Sequence, residues 1–385
     1  MSTPAVRTVG AVVGGAVRRH NLVVQEPGRV ELVEEDLPAV PEGGLLLQTL
    51  TTGLSAGTEL TFVKGDNPGL RSRLDPELGL FVPDDQPDDR LPGYPVRRLG
   101  YMEVARVVES RTQAFSVGDR VASAYGHATA HVSDPVREHV VPLPDDLDPV
   151  LGVYVAHLGP ICANGLLHAA ADVSAGPVAS LGVGVEGRRV LVTGAGPIGL
   201  LTALFASVHG ADEVAVVDAD PRRRELAQAL GLLALDAAGD PALTLKTRWR
   251  HGAGDHGADL VFQCRGRPHA LATALRALRP QGTVVDLAFY TDGADEVRLG
   301  EEFHHNGLTL RCAQIGRVPR GLASTWDRHR LSAETVRLLQ ERGVDIRRHL
   351  VTDVLDLSQA PALLNDVAAR RRHVLTAVFT TGIGF

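Results

Sequence analysis

Gly194-Ala195-Gly196-Pro197-Ile198-Gly199 is a GxGxxG run, and an aspartate, Asp218, follows its strand-and-helix context about 20 positions on. An apolar run over residues 190–192 precedes it, an apolar helical run over 200–208 follows, and a second apolar run over 213–217 ends at Asp218. This is the order a dinucleotide-binding turn requires. Gly194 permits the tight turn, Gly196 lets the backbone approach a pyrophosphate, and Gly199 lets the helix pack on the strand. Pro197 and Ile198 open that helix, whose unpaired N–H groups and positive end suit phosphate oxygens. Asp218 would accept hydrogen bonds from the adenosine ribose and repel a 2′-phosphate, which favours NAD over NADP. Arg222, Arg223 and Arg224 complicate that preference, since a nearby arginine can hold a 2′-phosphate; at a helix start arginines are more often a solvated face. Arg223 is counted with the cofactor contacts. Asp220 reads as the N-cap of the helix that Pro221 opens.

The elements around this unit must position it. Residues 258–264 read as another buried strand, 268–278 as an amphipathic helix, 282–289 as a strand and 308–312 as the last one. Strand and helix alternate, which argues a doubly wound α/β domain with a parallel sheet. The first part of the chain is different. Residues 21–48 read as strands and turns, and Thr52-Gly53-Leu54-Ser55-Ala56-Gly57-Thr58-Glu59-Leu60 as a small-residue turn ending in a carboxylate. Residues 66–98, rich in Pro, Asp and Arg, read as a long functional loop or lid. A strand follows at 105–108, a turn-strand unit at 115–121 and a strand at 138–142, with a histidine-bearing stretch, including His127 and His131, between the last two. Helical pattern begins near Pro149. Towards the end come helices at 332–342 and 360–369 and a strand at 374–380.

A chain of 385 residues with 44% hydrophobic and 22% charged residues fits a two-domain globular protein. A net charge of −7 supplies no basic footprint for nucleic acid or an anionic membrane. No apolar run reaches transmembrane length. Residues 8–17 are apolar but short and glycine-rich, a mobile arm rather than a signal peptide. Cys162, Cys264 and Cys312 are far apart and form no metal spacing, so reduced thiols and a cytoplasmic location are expected.

With both halves laid out, the chain resembles the medium-chain dehydrogenase/reductase superfamily along nearly its whole length. The matching landmarks are residues 52–59, residues 100–109, the FSVGDRV turn at 115–121, GAGPIG with Asp218, and EFHHN at 302–306. The resemblance implies a GroES-like β-rich catalytic domain over 1–151, a Rossmann cofactor domain over 152–319 and a return to the catalytic domain over 320–385. It also implies an active site in the cleft between them and a homodimer through the cofactor domains. The departures bear on mechanism. Zinc members carry a Cys in the GxCG(S/T)D turn, a His in GHE, and a Cys or Glu about five residues before a glycine. Here Ser55 or Ala56, Tyr101 and Pro160 stand at those points, and no four-cysteine lobe is present. The chain is therefore expected to need no zinc. It is similar to the zinc-independent subgroup that includes bacteriochlorophyllide a dehydrogenase and cyclitol-type dehydrogenases.

Without a metal, side chains must stabilise a developing alkoxide and exchange its proton. Tyr101 could donate its phenol proton, or be a core tyrosine with a satisfied hydroxyl. Glu59 could be a base or a brace for its turn. Ser55 and Thr58 would orient substrate. His127 and His157 are the histidines nearest the expected cleft and could shuttle protons; a surface role is the alternative for His127. Asn164 occupies the position where relatives contact the nicotinamide. Gly266 joins the cofactor contacts, flanked by Arg265 and Arg267. The expected activity is hydride transfer between NAD(H) and a secondary alcohol/ketone pair of a polyhydroxylated or bulky small molecule, such as a cyclitol, a sugar or a natural product of secondary metabolism. Epimerisation or elimination on the same cofactor, reduction of an activated C=C bond, and non-catalytic dinucleotide binding are the competing readings.

Overall fold

The strand Leu45–Leu54 is the hub of the first of two units, which comprises Met1–Ala156 and Val351–Phe385. The computed structural model describes residues 17–83, 93–291 and 293–382; the arm expected over 8–17 falls outside them but for Val17. Leu45–Leu54 pairs antiparallel with Glu103–Ser110 and Ala130–Ser133 on its flanks and with Thr376–Thr380 at its far end. The sheet extends through Arg120–Ser123 to Val140–Pro142 on one side and through Thr376–Thr380 to Val351–Asp356 on the other. The last two strands are parallel, and the helix Ala360–Ala368 makes the crossover that parallel pairing demands.

The hub strand is buried on both faces. Leu45 and Leu47 pack with Ala105, Val107, Val121 and Val140. Leu54 joins Leu60, Val63, Leu363 and Phe379 in a second cluster. Each such leucine, fully removed from water, contributes roughly 2 kcal/mol.

Two sequence expectations change in this unit. The segment read as a small-residue turn at 52–60 is the end of the hub strand followed by a helix, Ala56–Lys64, closed by Gly65 in the left-handed conformation at φ 82°. Small residues look like a turn by composition, but Leu60 and Val63 are buried at helical spacing. The expected loop at 66–98 contains a short 3₁₀ turn at Pro68–Leu70 and a hairpin, Ser72–Asp75 with Leu80–Pro83.

The second unit is His157–Leu350. Its main sheet has six strands, all parallel, in spatial order Leu233–Asp236, Glu213–Asp218, Arg189–Thr193, Ala258–Gln263, Leu278–Asp286 and Thr309–Cys312. By position in the chain that order is 3-2-1-4-5-6, the doubly wound arrangement of dinucleotide-binding domains. The expected α/β fold, a GroES-like β-rich domain with a Rossmann domain, is the fold observed. The sequence reading closed the cofactor domain at Pro319; here the unit runs on through the long helix Arg328–His349. That helix covers Leu158–Val173, and a side chain at Gly159 would sit 2.1 Å from Thr335.

Candidate active site

In the second unit, the strand Arg189–Thr193 runs into the glycine turn and then into the helix Pro197–Val208. Gly194 has φ 96°, open to glycine at little cost. A Cβ at Gly199 would lie 1.7 Å from the Gly194 carbonyl oxygen, so helix and turn touch backbone to backbone. A Cβ at Gly196 would meet nothing within 4 Å. Gly196 is thus not forced by protein packing, and the space before it is free for a ligand. No side chain caps this helix, and Pro197 opens it, followed by Ile198. Uncapped N–H groups facing open space are what a pyrophosphate needs.

Asp218 is 2% exposed at the end of Glu213–Asp218. Its Oδ2 accepts the Ala195 N–H at 2.8 Å and its Oδ1 the Asp220 N–H at 2.8 Å, tying the second strand to the glycine turn. Arg223 and Arg265 stand 3.7 and 3.8 Å from the carboxylate. Asp220 caps the helix Pro221–Ala229 through the Arg222 N–H, as expected. The residues present fit a dinucleotide: an open glycine cradle, an uncapped helix end and a carboxylate at the neighbouring strand end.

Two other expected cofactor residues have explicit structural roles. A Cβ at Gly266 would lie 1.9 Å from the Phe289 carbonyl oxygen, so a backbone crossing accounts for that glycine. Asn164 is fully buried, and its amide donates to the carbonyls of Ala313, Gln314 and Arg317 at 3.2 to 3.4 Å. It pins the segment after the last strand, while its Oδ1 is a buried acceptor without a protein donor.

His157 also lies in this unit, ahead of the helix Leu158–Val173. Its Nδ1 is 2.5 Å from the Arg328 guanidinium. Burial, with the neighbouring positive charge, pushes its pKa down to about 4. A proton shuttle at neutral pH must gain and lose charge there; His157 stays neutral, so the shuttle role expected for it is not supported by its surroundings.

The first unit holds the polar cluster. The Tyr101 hydroxyl donates to Ser55 Oγ and is also hydrogen-bonded to Thr58. Glu59, 1% exposed, accepts the Ser55 N–H at 2.7 Å through Oε1. Its Oε2 lies 2.7 Å from His127 Nε2, and His127, fully buried, places Nδ1 2.8 Å from Thr52 Oγ1. Five expected residues, Tyr101, Ser55, Thr58, Glu59 and His127, are therefore brought together. Thr52 completes the set and was missed, since a threonine on an apolar strand carries no sequence signal of its own.

Local backbone explains the convergence. The helix Ala56–Lys64 presents Thr58 and Glu59 from its first turn, and Glu59 folds back on the Ser55 N–H in place of a side-chain cap. Gly100, at φ 95°, lies flat against His127, where a Cβ would come within 3.0 Å of the ring. That close approach leaves Tyr101 beside Ser55. Burial and the Glu59 charge push the phenol up to about 12, so Tyr101 is a neutral hydrogen-bond donor at any physiological pH.

His131 belongs to a separate buried pair with Glu103, 3.4 Å apart, and stacks on Tyr125. His304 and His305 are exposed and meet edge to face.

Among the described residues, no three His, Cys, Asp or Glu side chains come together as a metal-binding group. The oxygen and nitrogen atoms of Glu59 and His127 are turned towards each other and towards Ser55 and Thr52. This donor set does not fit a catalytic zinc, which takes three protein ligands and an open position.

Comparison with known proteins agrees with the fold. Residues 197–328 match the zinc-binding dehydrogenase family model. D-guloside 3-dehydrogenase of Escherichia coli K12 is 25% identical over 346 residues, 88% of this chain and 93% of that protein. The alcohol dehydrogenase TADH from Thermus sp. ATN1 superposes with a TM-score of 0.70 at 21% identity, over 94% of this chain and 99% of that one. L-idonate 5-dehydrogenase from E. coli K-12 gives 0.71 at 16% identity, over 95% and 99%. Residues 197–328 are thus similar to zinc-binding dehydrogenases, and the chain along most of its length is similar to a sugar dehydrogenase and shares the fold of alcohol and polyol dehydrogenases. Among the described residues no helix is long and apolar enough to cross a membrane.

Proposed function

We propose that this chain is a nicotinamide-dependent oxidoreductase that interconverts a secondary alcohol and its ketone without zinc. The observation that carries the reading is the joined cluster of Tyr101, Ser55, Thr58, Glu59, His127 and Thr52, a neutral donor beside a buried carboxylate–imidazole pair. The glycine cradle supplies the cofactor's place, and Asp218 favours NAD as the physiological form. When bound, the nicotinamide accepts or returns the hydride. Tyr101, its hydroxyl turned from Ser55 Oγ to the substrate, donates to the substrate oxygen and stabilises the alkoxide that develops on it. Glu59 with His127 takes up the hydroxyl proton on oxidation and returns it on reduction, and Thr52 fixes the imidazole through Nδ1. Ser55 and Thr58 keep the phenol aimed. Asn164 holds the segment after the last strand and leaves its Oδ1 as an acceptor.

The guloside dehydrogenase relative supports a sugar-like, polyhydroxylated or similarly bulky substrate. The open edge strand Thr309–Cys312, with Leu310 exposed, supports a homodimer. Three free thiols, Cys162, Cys264 and Cys312, support a reducing compartment such as the cytoplasm.

The test is turnover by the purified full-length protein after metal removal. Chelator-treated protein, with zinc absent by elemental analysis, is mixed with NAD and a panel of glycosides, hexitols and cyclitols. Substrate-dependent NADH formation is expected at the rate of untreated protein. Activity that vanishes with the chelator and returns with zinc refutes the zinc-free mechanism. NADH binding with no turnover on any alcohol refutes the enzymatic reading.

A further inference from the structure

A cleft of about 950 Å³ opens in the second unit between the end of the helix Leu158–Val173 and the segment that leaves the edge strand Thr309–Cys312. Arg311, Arg317 and Arg320 line it together with His168, and no aspartate or glutamate does among the described residues. In a chain of net charge −7 this is a local reversal of sign. Arg317 and Arg320 are exposed, and neither side chain makes a hydrogen bond or an ion pair among the described residues. Arg311 gives Nη2 to Asp172 at 3.0 Å, so one carboxylate outside the lining offsets one of the three charges.

The same wall holds two buried polar atoms without a partner. Arg311 Nε carries a hydrogen and can only donate, yet no acceptor meets it. His168 is 9% exposed; its Nε2 lies 3.4 Å from the Arg317 carbonyl, and its Nδ1 has no partner. Such groups cost stability unless something outside the chain satisfies them. Asn164 donates to the carbonyls of Gln314 and Arg317, so the arginine-bearing segment is tied to the helix before any ligand arrives. Pro177, Val318 and Leu322 add apolar surface, and the volume is that of a small-molecule site rather than of a bare ion.

A phosphomonoester carries about −1.5 to −2 charge at neutral pH and three acceptor oxygens, and planar guanidinium forks match such oxygens in pairs. We infer that this cleft binds a small organic phosphate, with Arg317 and Arg320 on its oxygens from the open side, Arg311 and His168 from the buried side, and its carbon skeleton on the apolar wall. None of these residues belongs to the glycine turn or to the end of Glu213–Asp218, so the inference stands apart from the dinucleotide reading. Arg311 lies on the edge strand, which makes a second copy of the chain the competing occupant.

The experiment is calorimetric titration of the full-length protein with glycerol 3-phosphate, with glycerol as the uncharged control, before and after saturation with NADH. Glycerol 3-phosphate is expected to bind with a Kd below about 1 mM at low salt and more weakly at high salt, while glycerol does not bind. Saturation with NADH should leave that binding in place. Arg317→Ser and Arg320→Ser are each expected to weaken it about tenfold, the loss of one charge-assisted bond. Both side chains are exposed and unpartnered, so the native fold does not depend on them. No binding up to about 10 mM overturns the inference. So does binding that neither variant weakens, or that NADH displaces, which would put the phosphate in the glycine cradle. A native dimer by sedimentation that binds no phosphate and dissociates in either variant gives the cleft to a second copy, and also overturns it. If NADH itself does not bind, the dinucleotide reading falls, and the arginine variants still decide this one.

Discussion

Replacing Glu59 by glutamine keeps the shape of the buried cluster and removes its charge. In the native chain Oε1 accepts the Ser55 N–H at 2.7 Å and Oε2 faces His127 Nε2 at 2.7 Å, with both residues at most 1% exposed. Glutamine can keep its carbonyl on Ser55 and turn its amide towards Nε2. The imidazole proton then moves to Nδ1, where Thr52 Oγ1 at 2.8 Å can accept it. Every buried group stays paired, so the stability cost is about 1 kcal/mol. Alanine leaves the Ser55 N–H and a ring nitrogen unpaired, at about 3–5 kcal/mol. Turnover separates the roles. A carboxylate that accepts the substrate proton contributes about 10²–10⁴ in rate, which Glu59→Gln should lose while folding almost normally. The assay pairs urea unfolding with kcat on the best alcohol of the panel. A glutamine variant within about threefold of the native kcat would refute the reasoning and reduce Glu59 to a brace for the Ala56–Lys64 helix.

Three further outcomes are expected. Tyr101→Phe preserves the ring and deletes the donor, so kcat should fall about 10²–10³ with less than about 1 kcal/mol lost in unfolding; equal kcat would make the phenol structural. Gly199→Ala drives a Cβ to within 1.7 Å of the Gly194 carbonyl and should cost about 3 kcal/mol and weaken NADH binding, read by urea unfolding and calorimetry; a native-like variant would mean the turn yields easily. His157, with its pKa pushed down to about 4 from 6.5, binds fewer protons folded than unfolded between those values. Its stabilisation is therefore complete above about pH 6.5 and lost as pH falls towards 4, amounting to at most roughly 3 kcal/mol. His168 and His209 are lowered by burial in the same sense, so native unfolding free energy should fall with acid and His157→Asn should flatten part of that slope.

The cofactor half was legible because its requirements are local. A tight turn, a close helix and an acidic strand end are all written within about 30 consecutive residues. The doubly wound class followed from alternation of apolar runs and helices, although the short strand Leu233–Asp236 and the helix Pro241–Arg248, with little apolar contrast, gave no usable period. The catalytic half depends on distance. Glu59 and His127 stand 68 positions apart and Tyr101 and Ser55 46 apart, and no pattern in either segment specifies the pairing. Residue types at positions where relatives carry zinc ligands singled out Tyr101 and Ser55. They could not supply Thr52, whose role exists only because the hub strand runs beside the His127 loop.

Gly266 and Asn164, read from the sequence as cofactor residues, each have a packing task besides. A glycine forced by the Phe289 carbonyl and an asparagine holding three carbonyls are each read from sequence as openings for a ligand. Gly196 shows the contrary case. Nothing in the protein comes within 4 Å of its missing side chain, so packing gives no reason for glycine there. Gly199 and Gly266 are accounted for by backbone that the fold brings close. Gly196 leaves its side open, which suits the close approach of a phosphate to an uncapped helix end. A test of the motif should therefore begin with Gly196→Ala, which the fold can house. It should leave unfolding within about 1 kcal/mol of native and lower dinucleotide affinity, the opposite balance from Gly199→Ala. Loss of stability with affinity intact would show that packing had been misread as an opening.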